Sequence, residues 1–298
     1  MGGIKHRTGA LPRRVKHSAP SSMLDVECRM LDVHGMPLTP RDLAPGDTKS
    51  AALDLSQFQI THIRSVDDPL FEAAYAPLWA EFGAKNEMER RETLARRFAL
   101  APEMLYEIVL VRSVDGGFAA VRDHTATSAG AEVVAHLSHN LVAPEFRRSG
   151  LAGWMRALPL ATAREFRPGV PVTLVAEMEY DTPDDPQRAI RLRAYEKAGF
   201  LKVDPRLVHY HQPDFREPAQ IDASGGPQPV PFQLLLRQPG REHETTISGT
   251  RVRSIASALY EMFGRQFRPQ DMRHPGLDIG RYPEPDAVIA LLLPTTPT

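Results

Sequence analysis

Several features that mark particular protein classes are rare or missing in this chain. The 298 residues contain one cysteine, Cys28, so we expect no internal disulfide and no cysteine-rich zinc site. No apolar run approaches the length of a membrane span, and the basic N-terminus lacks the apolar core of a secretory signal. The net charge is −1, so overall charge does not attract the chain to nucleic acid or anionic lipid. We therefore expect a cytoplasmic protein without a membrane partner, and we do not favour nucleic acid as a partner.

Motifs of the common phosphate loops and hydrolases are also missing. The chain has no G-x-x-x-x-G-K-[ST], G-x-S-x-G or H-E-x-x-H, and Gly150-Leu-Ala-Gly153 is not G-x-G-x-x-G. His209 and His211 lie two apart without an obvious third ligand, so we predict no metal site. A hydrophobic content of 42% and a charged content of 24% are typical of a soluble globular protein.

The chain does contain a strand-like run that leads into a tight turn and then a helix. Residues 140–153 read Asn-Leu-Val-Ala-Pro-Glu-Phe-Arg-Arg-Ser-Gly-Leu-Ala-Gly, and an amphipathic run begins at Leu151. The small residues of the turn leave backbone N–H groups uncovered at the positive end of the helix dipole. Such a turn binds phosphate, and Arg147 and Arg148 add charge for a polyphosphate.

The remaining pattern indicates an α/β protein with three parts. We assign residues 1–55 to a flexible basic arm, 56–240 to the domain and 241–298 to a C-terminal helix–strand extension. Alternation predicts strands at 57–64, 105–112, 118–122, 132–142, 170–178, 206–212, 231–238 and 287–293. Helical spacing predicts helices at 70–82, from about 87, from 151, at 185–198 and at 250–267. Pro159 is expected to kink the third of these.

Two stretches resemble signatures of the GNAT superfamily of acyl-CoA-dependent N-acetyltransferases. Arg147-Arg148-Ser149-Gly150-Leu151-Ala152 matches its [QR]-x-x-G-x-[GA] loop, and Ala194-Tyr-Glu-Lys-Ala-Gly-Phe200 is similar to its second hallmark. They occur in the family's order, with one helix and one strand between them. The resemblance covers about residues 58–238. It implies a GNAT fold, in which helices flank a mixed, mostly antiparallel central sheet.

The resemblance also implies that acetyl-CoA is the acyl donor, and the residues offer no metal site. Its pantetheine chain would pair with the backbone of Leu141, Val142 and Ala143. Family members often carry a cofactor-binding asparagine on the helix that ends at the second signature, but residues 188–193 of that helix supply none here. The diphosphate would bind the turn, whose residues are Arg147, Arg148, Ser149, Gly150, Leu151, Ala152 and Gly153.

Three residues are candidates for proton transfer. Tyr195 matches the family's general acid, because a phenol is protonated at neutral pH and can donate to a thiolate. The alternative is a tyrosine that packs in the core. For the base we rank Glu177, in a mostly apolar strand, ahead of His136 on the preceding strand. Each could instead be a satisfied or solvent-facing group at a strand end.

These features predict an N-acetyltransferase that acts on an amine of a small molecule or peptide, as a monomer or homodimer. The alternative is a non-catalytic acyl-CoA-binding sensor or partner-binding module of the same fold. A third hypothesis, nucleic-acid binding by the basic arm, competes with a merely solvated tail, and we favour the tail.

Overall fold

The computed structural model describes residues 38–180 and 185–297 of the chain. None of the helices in these ranges is long and apolar enough to cross a membrane. The α-helices are α1 (Thr48–Ala51), α2 (Phe71–Phe82), α3 (Arg91–Phe98), α4 (Leu151–Ala157), α5 (Pro159–Phe166), α6 (Pro186–Lys197), α7 (Pro218–Ala223) and α8 (Gly249–Gly264). The strands are β1 (Phe58–Ile63), β2 (Leu105–Ser113), β3 (Phe118–Ala129), β4 (Glu132–Val142), β5 (Val172–Met178), β6 (Leu201–Val203), β7 (His211–Gln212), β8 (Val230–Pro231), β9 (Gln233–Arg237), β10 (Thr246–Ser248) and β11 (Val288–Leu292).

Nine strands form one sheet in the order β1-β2-β3-β4-β5-β9-β6-β11-β10, and β7 pairs separately with β8. Every neighbouring pair in the large sheet is antiparallel except β4 and β5, which are parallel. A parallel pair needs a crossover connection, and α4 and α5 provide it. The predicted mixed, mostly antiparallel sheet flanked by helices is therefore confirmed.

β4 and β5 lie side by side for only part of their length. Their register begins with Val133 opposite Val172 and ends with Leu137 opposite Ala176. β4 then continues to Val142 beside β3. Within the described residues, this last part of β4 has no strand partner on the side of β5, and a gap opens in the sheet.

Helices cover both faces of the sheet. Tyr106 of β2, Thr125 of β3 and His136 of β4 stand opposite one another and so project from one face. Tyr106 packs with α2 and α3, and His136 contacts Phe263 of α8, so we call this the α8 face. Alternate side chains such as Val133 point the other way. There they pack with α4, α5 and α6, and we call this the α4 face.

The helix predicted from residue 151 is divided in two. α4 ends at Ala157, and α5 begins at Pro159. Proline has no N–H for the preceding turn, whereas its ring fits the first position of a helix. The expected kink is therefore a break between two helices.

The C-terminal segment belongs to the core. β11 pairs with β6 and β10 with β11, which lengthens the sheet at one edge. α8 buries Val252, Ile255 and Leu259 in a cluster that also contains Val175 and Leu236 of the central strands. The sequence predicts this helix and the last strand but not β10. Residues 241–297 therefore share one hydrophobic core with the domain instead of extending it.

Two predicted strands differ from the observed ones. The third strand is predicted to end at residue 122 but reaches Ala129, because its polar second half is buried against partners on other elements. The strand predicted at 206–212 is reduced to β7. Just before it, Asp204 accepts a hydrogen bond of 3.0 Å from the Arg206 amide and turns the chain. β6 takes the place beside β9 instead.

Part of the predicted arm is folded. Residues 1–37 lie outside the described residues, but 38–55 pack against the α4 face. Leu38, Leu43 and Leu53 contact the cluster that contains α4. Asp42 is 3% exposed and forms an ion pair with Arg164 of α5. The folded part of the chain therefore begins earlier than the predicted boundary at residue 55.

Candidate functional site

The predicted phosphate-binding residues form one turn and the first residues of α4. Arg148 has a φ of 64° and Gly150 a φ of 103°, both in the left-handed region. Glycine adopts this conformation readily, whereas for other residues it costs roughly 1–2 kcal/mol. Ser149 Oγ accepts a hydrogen bond of 3.2 Å from the Leu151 amide. Local strain of this kind is concentrated at ligand-binding sites, so the backbone of Arg148 supports a functional turn.

A second segment of the chain lies on this turn. We call residues 42–51, which include α1, the strap. Ser50 Oγ donates to the Gly150 carbonyl over 2.7 Å, and Lys49 Nζ donates to the Arg148 carbonyl over 3.0 Å. A Cβ atom at residue 153 would overlap the Asp47 carboxylate, so only glycine fits there. The strap thus covers the surface on which the sequence places a diphosphate.

Acidic side chains of the strap meet arginines of the α4 face. Asp47 Oδ2 lies 3.5 Å from Arg156 Nη2, and Asp42 is paired with Arg164. Arg237 of β9 is 2% exposed, and its Nε and Nη2 form no hydrogen bond within the described residues. Burial lowers the pKa of Arg237, although nearby carboxylates oppose this. The α4 face next to the strap therefore carries three arginines, of which Arg156 and Arg164 pair with the strap.

The edge of β4 leads from the gap in the sheet to the turn. Residues 138–142 are half-buried there, in contrast to the buried first half of the strand. Asn140 Nδ2 donates to the Ala152 carbonyl over 3.4 Å, and Arg147 Nε donates to the Val142 carbonyl over 3.3 Å. Leu141 and Val142 therefore lie on the edge of β4 that borders the gap, and Ala143 follows them toward the turn.

On the α8 face, the two predicted base candidates are in direct contact. His136 Nε2 and Glu177 Oε2 are 2.8 Å apart, and each side chain is 4% exposed. Tyr210 donates to Glu177 Oε1 over 2.6 Å, and Gln212 Nε2 donates to Oε2 over 3.2 Å. Ser138 Oγ lies 3.4 Å from His136 Nδ1. β4 and β5 bring this cluster together at the point where the two strands part.

The hydrogen bonds indicate that Glu177 is an acceptor for several donors and that His136 has one nitrogen facing away from Glu177. Burial raises the pKa of Tyr210 well above its ordinary value, and the Glu177 charge adds to this, so Tyr210 remains a donor at neutral pH. Both Glu177 oxygens are therefore occupied as acceptors. If the Ser138 hydroxyl donates to Nδ1, a neutral His136 carries its proton on Nε2 and points it at Glu177. Nδ1 is then the nitrogen that can accept a proton.

A small cavity opens beside this cluster. Its volume is about 50 Å³, and its lining includes His136, Glu177 and Glu87. Burial raises the pKa of Glu87, and the neighbouring charge of Glu179 adds to this. Across residues 38–180 and 185–297, no group of three or more His, Cys, Asp or Glu side chains could hold a metal ion.

Tyr195 lies on the other side of the sheet from His136. It is half-buried on α6, and its ring packs against Phe200 with the centroids 4.9 Å apart. It also contacts the cluster that contains Leu137 and Ala176, the last paired residues before the gap. Its hydroxyl forms no hydrogen bond to the described part of the chain. The predicted acid and base thus lie on opposite faces of the sheet.

Tyr210, Gln212 and the strap are missing from the sequence-predicted site. Tyr210 and Gln212 lie in the predicted strand 206–212, where their spacing of two would have placed both polar groups on one face. The strap lies in the predicted arm, and its contacts involve backbone carbonyls that no side-chain pattern reveals.

Solved structures to which this chain is similar include the following three. The glucosamine N-acetyltransferase region of a fungal multi-domain β-N-acetylglucosaminidase is 18% identical, with 56% of this chain and 20% of that chain covered and a TM-score of 0.36. N-acetylglutamate synthase from Neisseria gonorrhoeae, in complex with coenzyme A and N-acetyl-glutamate, is 19% identical, with 60% and 35% covered and a TM-score of 0.33. A spermidine N-acetyltransferase from Vibrio cholerae is 13% identical, with 63% and 98% covered and a TM-score of 0.37. The match thus spans less than half of the first two proteins.

No protein-family model matches the sequence, and no curated protein matches it either. The fold is therefore assigned from the strands themselves. Four antiparallel strands lead into the turn before α4, a parallel pair follows, and α6 ends at the second signature. The mixed, mostly antiparallel sheet flanked by helices agrees with the fold that the sequence resemblance implies.

Proposed function

We propose that the protein transfers an acyl group, acetyl in the simplest case, from acyl-CoA to an amine of a small molecule or peptide. The observation that carries this proposal is the gap between β4 and β5. The His136–Glu177 pair lies where the gap begins, on the α8 face. The turn before α4 lies at the far end of the β4 edge that borders the gap. A thioester held in this gap would meet an amine bound on the α8 face.

The cofactor would be held by backbone groups and by two cations. The amides of Arg148, Gly150 and Ala152, which donate no hydrogen bond among the described residues, bind the diphosphate, and Arg147 and Arg148 supply positive charge. Leu141, Val142 and Ala143 pair with the pantetheine chain along the free edge of β4. This assignment requires that the strap move away from Gly150 and Gly153 when CoA binds.

In the proposed reaction, the amine nitrogen attacks the thioester carbonyl carbon, and the carbon–sulfur bond then breaks. His136 Nδ1 accepts the proton that the amine loses, while Glu177 holds the ring. The Tyr195 hydroxyl gives a proton to the leaving thiolate. We give the role of base to His136 and an orienting role to Glu177. His136, Tyr210 and Gln212 contact the Glu177 carboxylate at 2.6–3.2 Å, whereas His136 Nδ1 has only the longer contact of 3.4 Å with Ser138.

The test is release of free CoA thiol from acetyl-CoA with a panel of amines. We expect His136→Gln to lower kcat by about 10²–10⁴-fold, and Tyr195→Phe to lower kcat with little change in KM for acetyl-CoA. His243→Gln, which changes an exposed histidine, is the control and should keep wild-type turnover. Thermal unfolding verifies that each variant is folded. Wild-type turnover by folded His136→Gln would remove His136 from the mechanism.

The strap over the turn favours a second candidate, a non-catalytic protein of the same fold. Such a protein would bind acyl-CoA or a partner without transferring the acyl group. This candidate predicts that wild type releases thiol no faster than His136→Gln with every amine in the panel.

A further inference from the structure

The strap lies on the turn that the proposed function gives to an anionic ligand, with its hydrogen bonds on the turn's carbonyls and not on its amides. Ser50 holds the Gly150 carbonyl, and the Asp47 carboxylate lies against the Cα of Gly153. On its other side, the strap passes over the end of α6, where a Cβ at Gly46 would lie 2.7 Å from the Lys197 carbonyl. A diphosphate and the strap cannot occupy this surface at the same time.

The floor under the strap consists of three arginines from separate elements. Arg156 belongs to α4, Arg164 to α5 and Arg237 to β9. In the strap, Asp47 pairs with Arg156 and Asp42 pairs with Arg164. Arginine is suited to phosphate recognition because its planar group donates several hydrogen bonds at once. The strap thus places two carboxylates where a polyphosphate could bind.

Unlike Arg156 and Arg164, Arg237 has no ion pair with the strap among the described residues. Its side chain is 2% exposed, yet Nε and Nη2 have no hydrogen-bond partner among the described residues. Its nearest carboxylate oxygen, from Glu242, lies 3.7 Å away. A buried guanidinium without hydrogen bonds is unfavourable, and a ligand with more acceptor oxygens would relieve this.

We propose that the strap is an internal substitute for the phosphates of CoA, and that Arg156, Arg164 and Arg237 bind those phosphates once the strap leaves. The proposal rests on the proposed function, because it uses the same turn. The strap competes with CoA within the same molecule. The apparent affinity for CoA is therefore the intrinsic affinity multiplied by the fraction of molecules in which the strap is open.

Two of the strap's contacts are weak, although the Asp42–Arg164 ion pair is buried on the Asp42 side and holds the strap more firmly. α1 has 4 residues, too few to be stable without its contacts. The Lys49 bond to Arg148 is exposed, and the Asp47–Arg156 pair is long at 3.5 Å. Exposed and loosely formed pairs of this kind contribute little to stability. Residues 47–51 are thus suited to open without unfolding of the sheet, and Arg164 becomes available to a ligand only when its pair with Asp42 also breaks.

The test compares full-length Asp47→Asn with wild type by calorimetric titration with CoA and, separately, with inorganic pyrophosphate. We expect Asp47→Asn to bind both about tenfold more tightly, a change of about 1.4 kcal/mol. Asp54→Asn removes the same charge from an exposed aspartate just outside the strap and should bind like wild type. Adding Arg156→Gln to Asp47→Asn should reverse the gain. Hydrogen exchange should show that CoA exposes the amides of residues 42–51.

The outcomes separate this inference from the proposed function. Equal CoA affinity in wild type and Asp47→Asn, with the strap amides still protected, would overturn the strap as a competitor and leave acyl transfer intact. Tighter pyrophosphate binding by Asp47→Asn without CoA binding or thiol release would support the anion groove and reject acyl transfer. Gain in both Asp47→Asn and Asp54→Asn would reduce the effect to general charge and overturn the inference.

Discussion

Tyr210 donates a hydrogen bond of 2.6 Å to Glu177, the carboxylate that contacts His136. Tyr210 lies after β6, far along the chain from β4 and β5. The position of the proposed base thus depends on a buried phenol outside both stretches that resemble the GNAT signatures. This relationship leads to the first prediction.

Replacement of Tyr210 by phenylalanine removes one of the donors that hold Glu177. We expect kcat/KM for acetyl transfer to fall about tenfold because His136 is held less firmly, and the free energy of unfolding to fall by about 1–3 kcal/mol. Tyr260→Phe is the matched control. Its ring stacks on Tyr210 at 5.5 Å, but its hydroxyl donates to the His211 carbonyl at 3.0 Å. An equal loss of activity in both variants would count against an orienting role for Tyr210.

A second prediction concerns His139, whose ring joins two acceptors. Nδ1 lies 2.9 Å from Asp123 Oδ1, and Nε2 lies 2.7 Å from the Glu87 carbonyl. Burial lowers the pKa of His139, but the Asp123 charge outweighs this and the pKa is raised. The folded pKa is therefore above the unfolded one. The stabilisation is fully present below about pH 6.5 and is lost as the pH rises through the folded pKa.

The measurement is the difference in free energy of unfolding between wild type and His139→Gln across this pH range. We expect the difference to be largest below about pH 6.5 and to shrink in more alkaline buffer. His243→Gln provides the baseline for an exposed histidine. A difference that is constant with pH would mean that folding does not raise the pKa of His139.

A third prediction concerns Arg97, a buried cation that ties α3 to the sheet. It donates to Glu89 over 2.7 Å and to Thr125 over 2.8 Å, and its guanidinium lies 4.1 Å from the centroid of the Tyr106 ring. Arg97→Ala leaves a carboxylate buried without its partner, so we expect the free energy of unfolding to fall by about 3–5 kcal/mol.

Arg96 is exposed and adjacent, and Arg96→Ala should change stability by less than about 0.5 kcal/mol. Urea unfolding of both variants is the measurement. Similar midpoints for Arg97→Ala and Arg96→Ala would show that the buried pair contributes little.

The fourth prediction tests the shared core. Leu259 of α8 is fully buried in the cluster with the central strands, so Leu259→Ala should lower the free energy of unfolding by about 2–5 kcal/mol. Ser257→Ala, at an exposed position of the same helix, should be nearly neutral. A single unfolding transition shifted as a whole is expected in urea. Separate transitions for α8 and the sheet would contradict a common core.

Elements fixed by local pattern could be predicted from the sequence. β4 spans Glu132–Val142, as its alternation indicates. α6 begins after Asp185, whose side chain accepts a hydrogen bond of 2.9 Å from the Gln187 amide, with Pro186 at the first helical position. These signals act within one turn of the chain, so they do not depend on the rest of the fold. The pairing of His136 with Glu177 follows from two such strands placed side by side.

Elements fixed by distant contacts could not be predicted. The polar second half of β3 resembles a loop, but there His124 is buried between Glu107, at 3.1 Å, and Thr162, at 2.7 Å. The bond from Ser50 to the Gly150 carbonyl joins residues 100 positions apart. A carbonyl acceptor has no signature in the sequence, and a short polar segment gives no periodicity to read.

α8 has a consequence for anyone who trims this protein. A polypeptide that ends where the resemblance to the acetyltransferase signatures ends would lack α8. Val175 and Leu236 would then lose their apolar contacts with this helix, and that side of the sheet would face water. We expect such a fragment to aggregate through the exposed apolar surface. The smallest piece worth expressing is therefore longer than the stretch that its motifs delimit.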